Sequence, residues 1–344
     1  MSNVAVNSDN LLSDWHQKAI TLQTNINHTI LGQEAIIEMM IVATFCRGHI
    51  LLEGDVGVGK TTLLRAVAES LGGDFERIEG TIDLMPHDLV YYTHIASDGK
   101  PAVSEGPLLK HGENLSIFFF NEINRARPQV HSLLLRVMAE RSVSAFNKTF
   151  YFPHLQVFAD RNRIEKDETF ELPAAARDRF MMELHISQPK AEAQLKELMF
   201  NTRYYDADKL VESADKSVLP FNQLNTIASL IQDQIHASET LQDYGFHLCQ
   251  ALRRPHDYGI EISDIDTEKL VFGGMGPRGI SYLARSARAH AWLKQRHNVI
   301  PEDFHAVIRA ISKHRIFINP VYNYNAEAII EELISAVLNT IPSP

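Results

Sequence analysis

The 344-residue chain has little of what marks several classes of protein. Its two cysteines, Cys46 and Cys249, lie far apart in the sequence and lack metal-ligand spacing, so a disulfide framework is not expected. No apolar run approaches the ~18 to 20 residues that span a bilayer. The first residues show no basic start followed by an apolar segment, so we expect no secretory signal and a cytoplasmic protein.

Positive charge is also scarce. The chain has 33 lysines and arginines against 43 aspartates and glutamates, a formal net charge of −10. Proteins that depend on contacts with a phosphate backbone usually carry a basic face, so this acidity argues against nucleic acid as the main partner. The 16 histidines form neither an HExxH motif nor a paired Cys/His set, which argues against a zinc site.

Short apolar runs alternate with helical patterns in the first half of the chain, which predicts an α/β fold with a parallel sheet. Predicted strands cover residues 49–54, 116–120, 155–159 and 179–186, and a helix is predicted at residues 61–73.

Two hairpins are predicted to interrupt this pattern. One surrounds the Asp-Gly turn at residues 98 and 99, and the other covers residues 142–152. From about Lys190 onward the chain has helical periodicity, including a helix whose first turn contains Pro301 and Glu302. The sequence therefore predicts an all-helical second domain.

The stretch GDVGVGKT, Gly54 to Thr61, matches the phosphate-loop pattern G-x-x-x-x-G-K-[ST] at every fixed position. It follows a predicted strand directly and opens a predicted helix. In such a loop, backbone N–H groups and the helix N-terminus hold phosphate oxygens, Lys60 reaches the β- and γ-phosphates, and the Thr61 hydroxyl binds Mg²⁺. The sequence therefore predicts a site for a nucleotide and Mg²⁺. Its predicted nucleotide-binding residues are Gly54, Asp55, Val56, Gly57, Val58, Gly59, Lys60, Thr61 and Thr62.

From about Ile30 to Ile316 the order of motifs resembles the MoxR family of AAA+ ATPases. The stretches that carry the resemblance are ILGQEAI, HILLEGDVGVGKTTL, RIEGTIDLMPHDL, EGPLLK, NEINRARPQVHSLLLRVMAERSV, LPAAARDRF and GGMGPRG. The resemblance implies an AAA+ parallel-sheet domain at residues 1–189, a helical lid domain at residues 190–344, and a homo-oligomeric ring, a hexamer. It also implies a chaperone-like ATPase that remodels or activates partner proteins, among them proteins with a von Willebrand A-type domain.

The resemblance also gives roles to single residues. Asn121 and Glu122 fall at the Walker B pair, where Glu122 matches the base that polarises the attacking water. Asn162 matches the sensor 1 position, which orients that water. Arg179 matches the arginine finger that reaches the γ-phosphate of the neighbouring subunit. Arg278 matches sensor 2, which ties the lid to the nucleotide.

Position 121 departs from the family pattern, which has aspartate there. Asparagine keeps one acceptor oxygen but lacks the full negative charge that compensates Mg²⁺. With the metal site assigned to Thr61 and Asn121, we expect ATP binding to be retained and hydrolysis to be slowed. Two further departures point the same way. The sensor 1 stretch reads ADRNR where the family usually has Ala-Thr-Gln-Asn-Pro, and Ala174 stands where the family has glutamate.

Other functions stay open at the level of the sequence. The departures favour an ATP-binding regulatory or assembly protein with little or no hydrolysis, in which ATP stabilises a ring by mass action. A DNA-acting AAA+ motor would use a hairpin such as residues 142–152, but that hairpin has one lysine and no basic or aromatic stripe. A small-molecule kinase would need an acceptor-binding lid in place of an arginine acting in trans.

Overall fold

A computed structural model of the protein describes residues 2–55, 57–162, 170–213, 215–216, 218–263 and 265–344. The chain divides into two compact units. The sheet unit comprises Gln17–Phe180 and Leu184–Thr226, and the helical unit comprises Met1–His16, Met181–Glu183 and Ile227–Pro344. The domain boundary predicted between residues 189 and 190 stays a prediction.

The helices are α1 Ser2–Thr29, α2 Glu34–Phe45, α3 Lys60–Leu71, α4 Pro128–Glu140, α5 Ala174–Arg177, α6 Glu192–Phe200, α7 Ala207–Glu212, α8 Leu224–Gln234, α9 Glu239–Arg253, α10 Pro277–Leu293, α11 Pro301–Ser312 and α12 Ala326–Thr340. The strands are β1 Ile50–Gly54, β2 Asp74–Glu79, β3 Tyr91–Ile95, β4 Pro101–Glu105, β5 Leu115–Asn121, β6 Ser142–Ala145, β7 Lys148–Tyr151, β8 Gln156–Asn162, β9 Met182–Ile186, β10 Val271–Gly273 and β11 Phe317–Ile318.

Five strands form the central sheet in the order β2-β5-β8-β1-β9. The pairs β2–β5, β5–β8 and β8–β1 are parallel, so their carboxyl ends lie at the same edge of the sheet. The apolar run at residues 116–120 is the fully buried strand β5, with Phe118, Phe119 and Phe120 inaccessible to solvent. The predicted α/β fold with a parallel sheet is confirmed.

Both predicted hairpins are present. β3 pairs with β4 around Gly99, whose φ is +77°, and β6 pairs with β7. The second turn has positive φ at both Phe146 (52°) and Asn147 (58°), as a two-residue turn of type I′ requires. The rings of Tyr91 and Phe146 lie 5.3 Å apart, so the two hairpins touch.

Two parts of the sheet differ from the prediction. β2 was not predicted, because its sequence DFERIE is mostly charged and its place at the sheet edge leaves most of it accessible to solvent. The strand predicted at residues 179–186 begins only at Met182. The residues before it, Arg179 among them, form a turn after α5 in which the Arg179 amide donates to the Ala176 oxygen.

The helical unit contains most of α8, all of α9 to α12 and the first part of α1. The predicted helix with Pro301 and Glu302 in its first turn is α11. The unit also contains the antiparallel pair β10–β11, so it is mainly helical and not all-helical as predicted. Pro301 is the first residue of α11, where a missing N–H costs nothing. Within the residues that the structure describes, no helix is both long and apolar enough to cross a membrane.

A buried carboxylate joins α10 to α11 in the helical unit. Asp303 accepts from His290 Nδ1 at 2.6 Å, from Arg296 Nη2 at 2.7 Å and from the Ile300 amide at 2.8 Å, and it is inaccessible to solvent. Burial alone would raise the pKa of Asp303, but the hydrogen bonds from His290 and Arg296 hold it below its ordinary value of 3.8.

Replacing Asp303 by asparagine (Asp303→Asn) should lower the free energy of unfolding at pH 7 by about 3 kcal/mol or more, because Arg296 and His290 lose the buried anion to which they are hydrogen-bonded. Because the folded-state pKa is lowered, this stability is present above pH 3.8 and is lost as the pH falls through the folded value. Urea unfolding at pH 7 and in acid measures both effects. The matched control is Glu302→Gln on the exposed neighbour, which should change stability by about 0.5 kcal/mol at most. Equal effects of the two substitutions would contradict this account.

Candidate nucleotide site

The phosphate loop joins β1, which ends at Gly54, to α3, which begins at Lys60. Gly57 and Gly59 have φ of +80° and +86°, a backbone region that residues with a Cβ rarely enter. No atom lies within 4 Å of a Cβ built on either glycine, so the loop faces open space. Thr61 and Thr62 lie in the first helical turn and are half-buried. Val56, predicted as part of the loop, lies outside the described residues.

Lys60 is buried at the carboxyl ends of β1 and β8, with 8% of its surface exposed. Its ammonium Nζ donates to the backbone oxygens of Gly54 at 2.7 Å and Asp55 at 3.2 Å, and to Asn162 Oδ1 at 2.5 Å. A carboxylate oxygen, Asp160 Oδ2, lies 3.8 Å from the same nitrogen. The lysine that is predicted to bind phosphate is thus held in place by the carboxyl ends of β1 and β8.

Asn162 connects Lys60 to Glu122. While its Oδ1 accepts from Lys60, its Nδ2 donates to Glu122 Oε1 at 2.8 Å, and Glu122 Oε2 is 3.0 Å from Arg125 Nε. An amide side chain can accept from an ammonium through its oxygen and donate to a carboxylate through its nitrogen at the same time. The structure therefore brings three of the predicted site residues, Lys60, Glu122 and Asn162, into one hydrogen-bonded network.

Asn121, the last residue of β5, has its amide directed at the neighbouring edge strand. Its Nδ2 donates to Glu79 Oε1 on β2, and Glu79 Oε2 is also paired with Arg77 at 2.9 Å. Asn121 is 6% exposed. The side chain at this position therefore acts as a hydrogen-bond donor, a role that an ionised aspartate could not fill.

Asp160 is a site residue that the sequence analysis did not identify. It lies on β8 with 1% of its surface exposed, and its Oδ1 accepts from the Glu122 amide at 2.5 Å. Burial raises the pKa of Asp160 to about 6, although the Glu122 amide and Lys60 oppose that rise. The sequence contained an indication of this role, because Asp160 stands in the stretch ADRNR where the family has threonine.

The backbone around Glu122 is tightly constrained. Glu122 has φ 51° and ψ 49°, left-handed values that are uncommon for a residue with a side chain. The Gly80 amide donates to the Asn121 oxygen at 2.7 Å, and a Cβ on Gly80 would lie 2.1 Å from the Glu122 oxygen. The glycine in RIEG therefore allows the chain after β2 to pass directly against the Walker B turn.

A cleft of about 380 Å³ lies beside the phosphate loop within the sheet unit. Its walls include Gly57, Val58, Gly59 and Thr62 of the loop, together with Ile30, Leu31, Pro189, Leu198 and Tyr204. Gln33 fixes part of this wall by donating from Nε2 to the Ser187 oxygen at 2.6 Å. These wall residues are distant from one another in the sequence. No role in the site was predicted for the motif ILGQ, which contains Ile30, Leu31 and Gln33.

The two predicted arginines lie in different units. Arg179, in the turn after α5, donates from Nη1 to the Ala175 oxygen at 3.2 Å, and its Nε has no hydrogen-bond partner among the described residues. Arg278 is an exposed residue at the start of α10, in the helical unit. Neither arginine is among the partners given above for Lys60, Asn162 and Glu122 in the described residues.

Fold and site define a nucleotide-binding protein of the AAA class. Residues 49–182 match the family model described as ATPase family associated with various cellular activities, and residues 264–333 match the AAA lid domain. The fold class of an AAA+ sheet domain followed by a helical lid is confirmed.

Comparison with whole proteins narrows the class. The chain is 52% identical to Protein MoxR of Methylorubrum extorquens, covering 98% of both chains, and 51% identical to Protein MoxR of Paracoccus denitrificans, covering 98% and 99%. It is 31% identical to Chaperone MoxR1 of Mycobacterium tuberculosis, covering 93% and 80%. A crystal structure of a candidate ATPase from Cytophaga hutchinsonii is 28% identical, with a TM-score of 0.82 over 99% of both chains. The chain belongs to the MoxR family of AAA ATPases.

Replacing Gly80 by alanine (Gly80→Ala) should lower the free energy of unfolding by about 1 to 3 kcal/mol and weaken nucleotide binding, because the new Cβ collides with the Glu122 backbone. Denaturant unfolding and titration with a fluorescent ATP analogue measure the two effects. The control is Gly273→Ala, whose Cβ would make an ordinary contact of 3.6 Å with Phe317 and should cost less than about 1 kcal/mol. A Gly80→Ala chain that is stable and binds normally would show that the close approach is not required.

Proposed function

We propose that this protein binds ATP with Mg²⁺, hydrolyses the γ-phosphate slowly, and uses the cycle to remodel or activate partner proteins. The observation that carries the proposal is the network in which Lys60, Asn162 and Glu122 are joined by hydrogen bonds of 2.5 and 2.8 Å in front of a glycine-rich loop. The network supports the proposal because it holds a cation and a carboxylate at one edge of the sheet, where the first would bind phosphates and the second would polarise the attacking water.

The phosphate groups are proposed to bind in the loop from Gly54 to Thr62, where Gly57 and Gly59 border open space and α3 begins at Lys60. The adenine base is proposed to occupy the cleft beside the loop, because its wall combines loop glycines with apolar side chains such as Ile30 and Leu198. The loop and the cleft belong to the same compact unit.

The oxygen donors near the loop suit magnesium. When bound, Mg²⁺ would supply positive charge that neutralises the phosphates. Thr61 would offer its hydroxyl, and Asn121 the one amide oxygen left at the Walker B position. Across the described residues no three His, Cys, Asp or Glu side chains cluster as a metal site of their own. That agrees with a cation held largely by nucleotide and water.

Hydrolysis is proposed to use Glu122 as the base and Asn162 as the group that orients the water, with Arg125 at 3.0 Å holding one oxygen of Glu122. Arg179 is proposed to act on the nucleotide of a neighbouring subunit, and Arg278 to respond to the nucleotide from the lid. An arginine acting in trans requires a ring, and a homo-hexamer is the proposed assembly.

The partner is proposed to be a protein. One relative is named Chaperone MoxR1, and a chaperone acts on other proteins. The two hairpins offer exposed apolar side chains of the kind that contact other proteins, namely Tyr92, Ile95, Val103, Phe146 and Tyr151. A protein with a von Willebrand A-type domain, located with this chain in the cytoplasm, is the candidate partner.

A second candidate function is ATP binding without useful turnover, in which ATP stabilises an assembly. It is favoured by Asn121, which engages Glu79 as a donor and brings no negative charge of its own. Measuring phosphate release alongside binding separates the two candidates.

Replacing Lys60 by alanine (Lys60→Ala) should weaken ATP binding at least about tenfold, since a hydrogen bond to a charged group contributes about 1.5 to 3 kcal/mol. Glu122→Gln should leave binding intact and lower phosphate release by about 10² to 10⁴, the range for a general base. Titration with a fluorescent ATP analogue and a phosphate-release assay measure these quantities. Lys269→Ala, on an exposed lysine of the helical unit, is the control. If the Lys60→Ala chain bound ATP as tightly as the wild-type chain, the proposed site would be refuted. Binding without release would favour the second candidate.

Replacing Arg179 by alanine (Arg179→Ala) should lower phosphate release by about 10³ or more while nucleotide binding persists, because the arginine would act on the neighbouring subunit. Mixing Arg179→Ala chains with Glu122→Gln chains should restore part of the activity, since some interfaces then combine an intact Glu122 with an intact Arg179. The matched control is a mixture of Arg179→Ala with the double variant Glu122→Gln/Arg179→Ala. Absence of recovery in the first mixture argues against action in trans.

A further inference from the structure

The negative charge that position 121 lacks is present on the neighbouring strand. Phe120 of β5 pairs with Ala159 of β8, so one residue further along the two parallel strands Asn121 is level with Asp160. β8 lies between β5 and β1, the strand that leads into the phosphate loop. Asp160 therefore occupies the strand between the Walker B position and the loop.

Both oxygens of Asp160 face the candidate site. Oδ1 accepts from the Glu122 amide at 2.5 Å, which attaches the carboxylate to the residue directly after Asn121. Oδ2 lies 3.8 Å from Lys60 Nζ, the cation that is proposed to reach the β- and γ-phosphates. The carboxylate therefore lies between the two groups that the proposed function uses.

Neutralising Lys60 does not by itself explain a carboxylate at this position. Lys60 Nζ has three closer acceptors, at 2.5, 2.7 and 3.2 Å, which match the three protons of an ammonium group. The Glu122 amide could equally be satisfied by the oxygen of an asparagine. A carboxylate with 1% exposure is expensive to bury, so its full charge needs a further reason.

We propose that Asp160 is the carboxylate that replaces the missing one at position 121, so that the negative charge required beside the ATP-bound magnesium comes from β8 instead of β5. The inference rests on the proposed function and concerns only how this chain's residues receive the cation. Asp160 is a positioning residue in this account: it acts on the cation's surroundings through its charge and through Glu122 and Lys60.

The test moves the charge between the two strands. Asp160→Asn keeps an oxygen for the Glu122 amide and removes only the charge. The double variant Asn121→Asp/Asp160→Asn restores the charge on β5. For each chain the affinity for a fluorescent ATP analogue is measured with Mg²⁺ and with EDTA, and Mn²⁺ binding to the nucleotide complex is followed by electron paramagnetic resonance.

Asp160→Asn should reduce the ratio of the ATP affinity in Mg²⁺ to the ATP affinity in EDTA, and the Mn²⁺ affinity with it, by about 10- to 100-fold. The double variant should recover most of that loss. The matched control is Glu53→Gln, a partly buried carboxylate on β1 that pairs with Arg161 at 3.4 Å and should leave the magnesium effect intact. Unfolding temperatures establish that each chain is folded.

The inference would be overturned by a full magnesium effect in Asp160→Asn, by a double variant that is no better than Asp160→Asn, or by an equal loss in Glu53→Gln.

If Asp160→Asn does not fold, the variant Asp160→Glu decides instead. It keeps the charge and should therefore keep the magnesium effect, and loss of that effect would overturn the inference. A wild-type chain that binds nucleotide equally with and without Mg²⁺ would overturn this inference alone. A wild-type chain that binds no nucleotide would overturn the proposed function as well.

Discussion

One buried ammonium group organises the candidate site. Lys60 is almost removed from solvent, and a charge in such a place needs acceptors at hydrogen-bond distance. Parallel strands provide them, because β1 and β8 end at the same edge of the sheet and present the Gly54 oxygen and Asn162 Oδ1 to the same nitrogen. Because the Asn162 side-chain oxygen accepts from Lys60, the Nδ2 group of the same side chain points the other way and donates to Glu122 Oε1. The orientation of the proposed base thus follows from the position of the lysine.

The parts of the fold that the sequence predicts are those with a local physical cause. The phosphate loop needs glycines where φ is positive, β5 is a run of apolar residues buried on both faces, and the turn at Phe146 and Asn147 lies between two extended segments. Each of these signals lies within ten or so residues, so pattern and spacing were sufficient. Lys60 was predicted from the phosphate-loop pattern, and Asn162 and Glu122 through the resemblance to a family. The hydrogen bonds that join the three residues were not predicted.

The parts that the sequence did not reveal depend on residues distant in the chain. β2 is charged because it is an edge strand, and edge position is a property of the whole sheet. The cleft beside the loop joins Ile30 to Pro189 and Leu198, more than 150 positions away. From the sequence, Asp160 was only part of a stretch that departs from the family motif. Its relation to Asn121 depends on the register between β5 and β8, which sets the two residues level.

That register makes positions 121 and 160 electrostatically dependent on each other. Asn121 is bonded to the carboxylate of Glu79 on one side, and Asp160 is attached to the next residue, Glu122, on the other. An aspartate at 121 would add a fourth acid to Glu79, Glu122 and Asp160, and like charges at such distances resist joint ionisation. An amide at 121 avoids this repulsion and donates to Glu79. Asn121 and Asp160 therefore form one arrangement, in which the carboxylate that the family has at position 121 is provided by Asp160, one strand nearer to the phosphate loop.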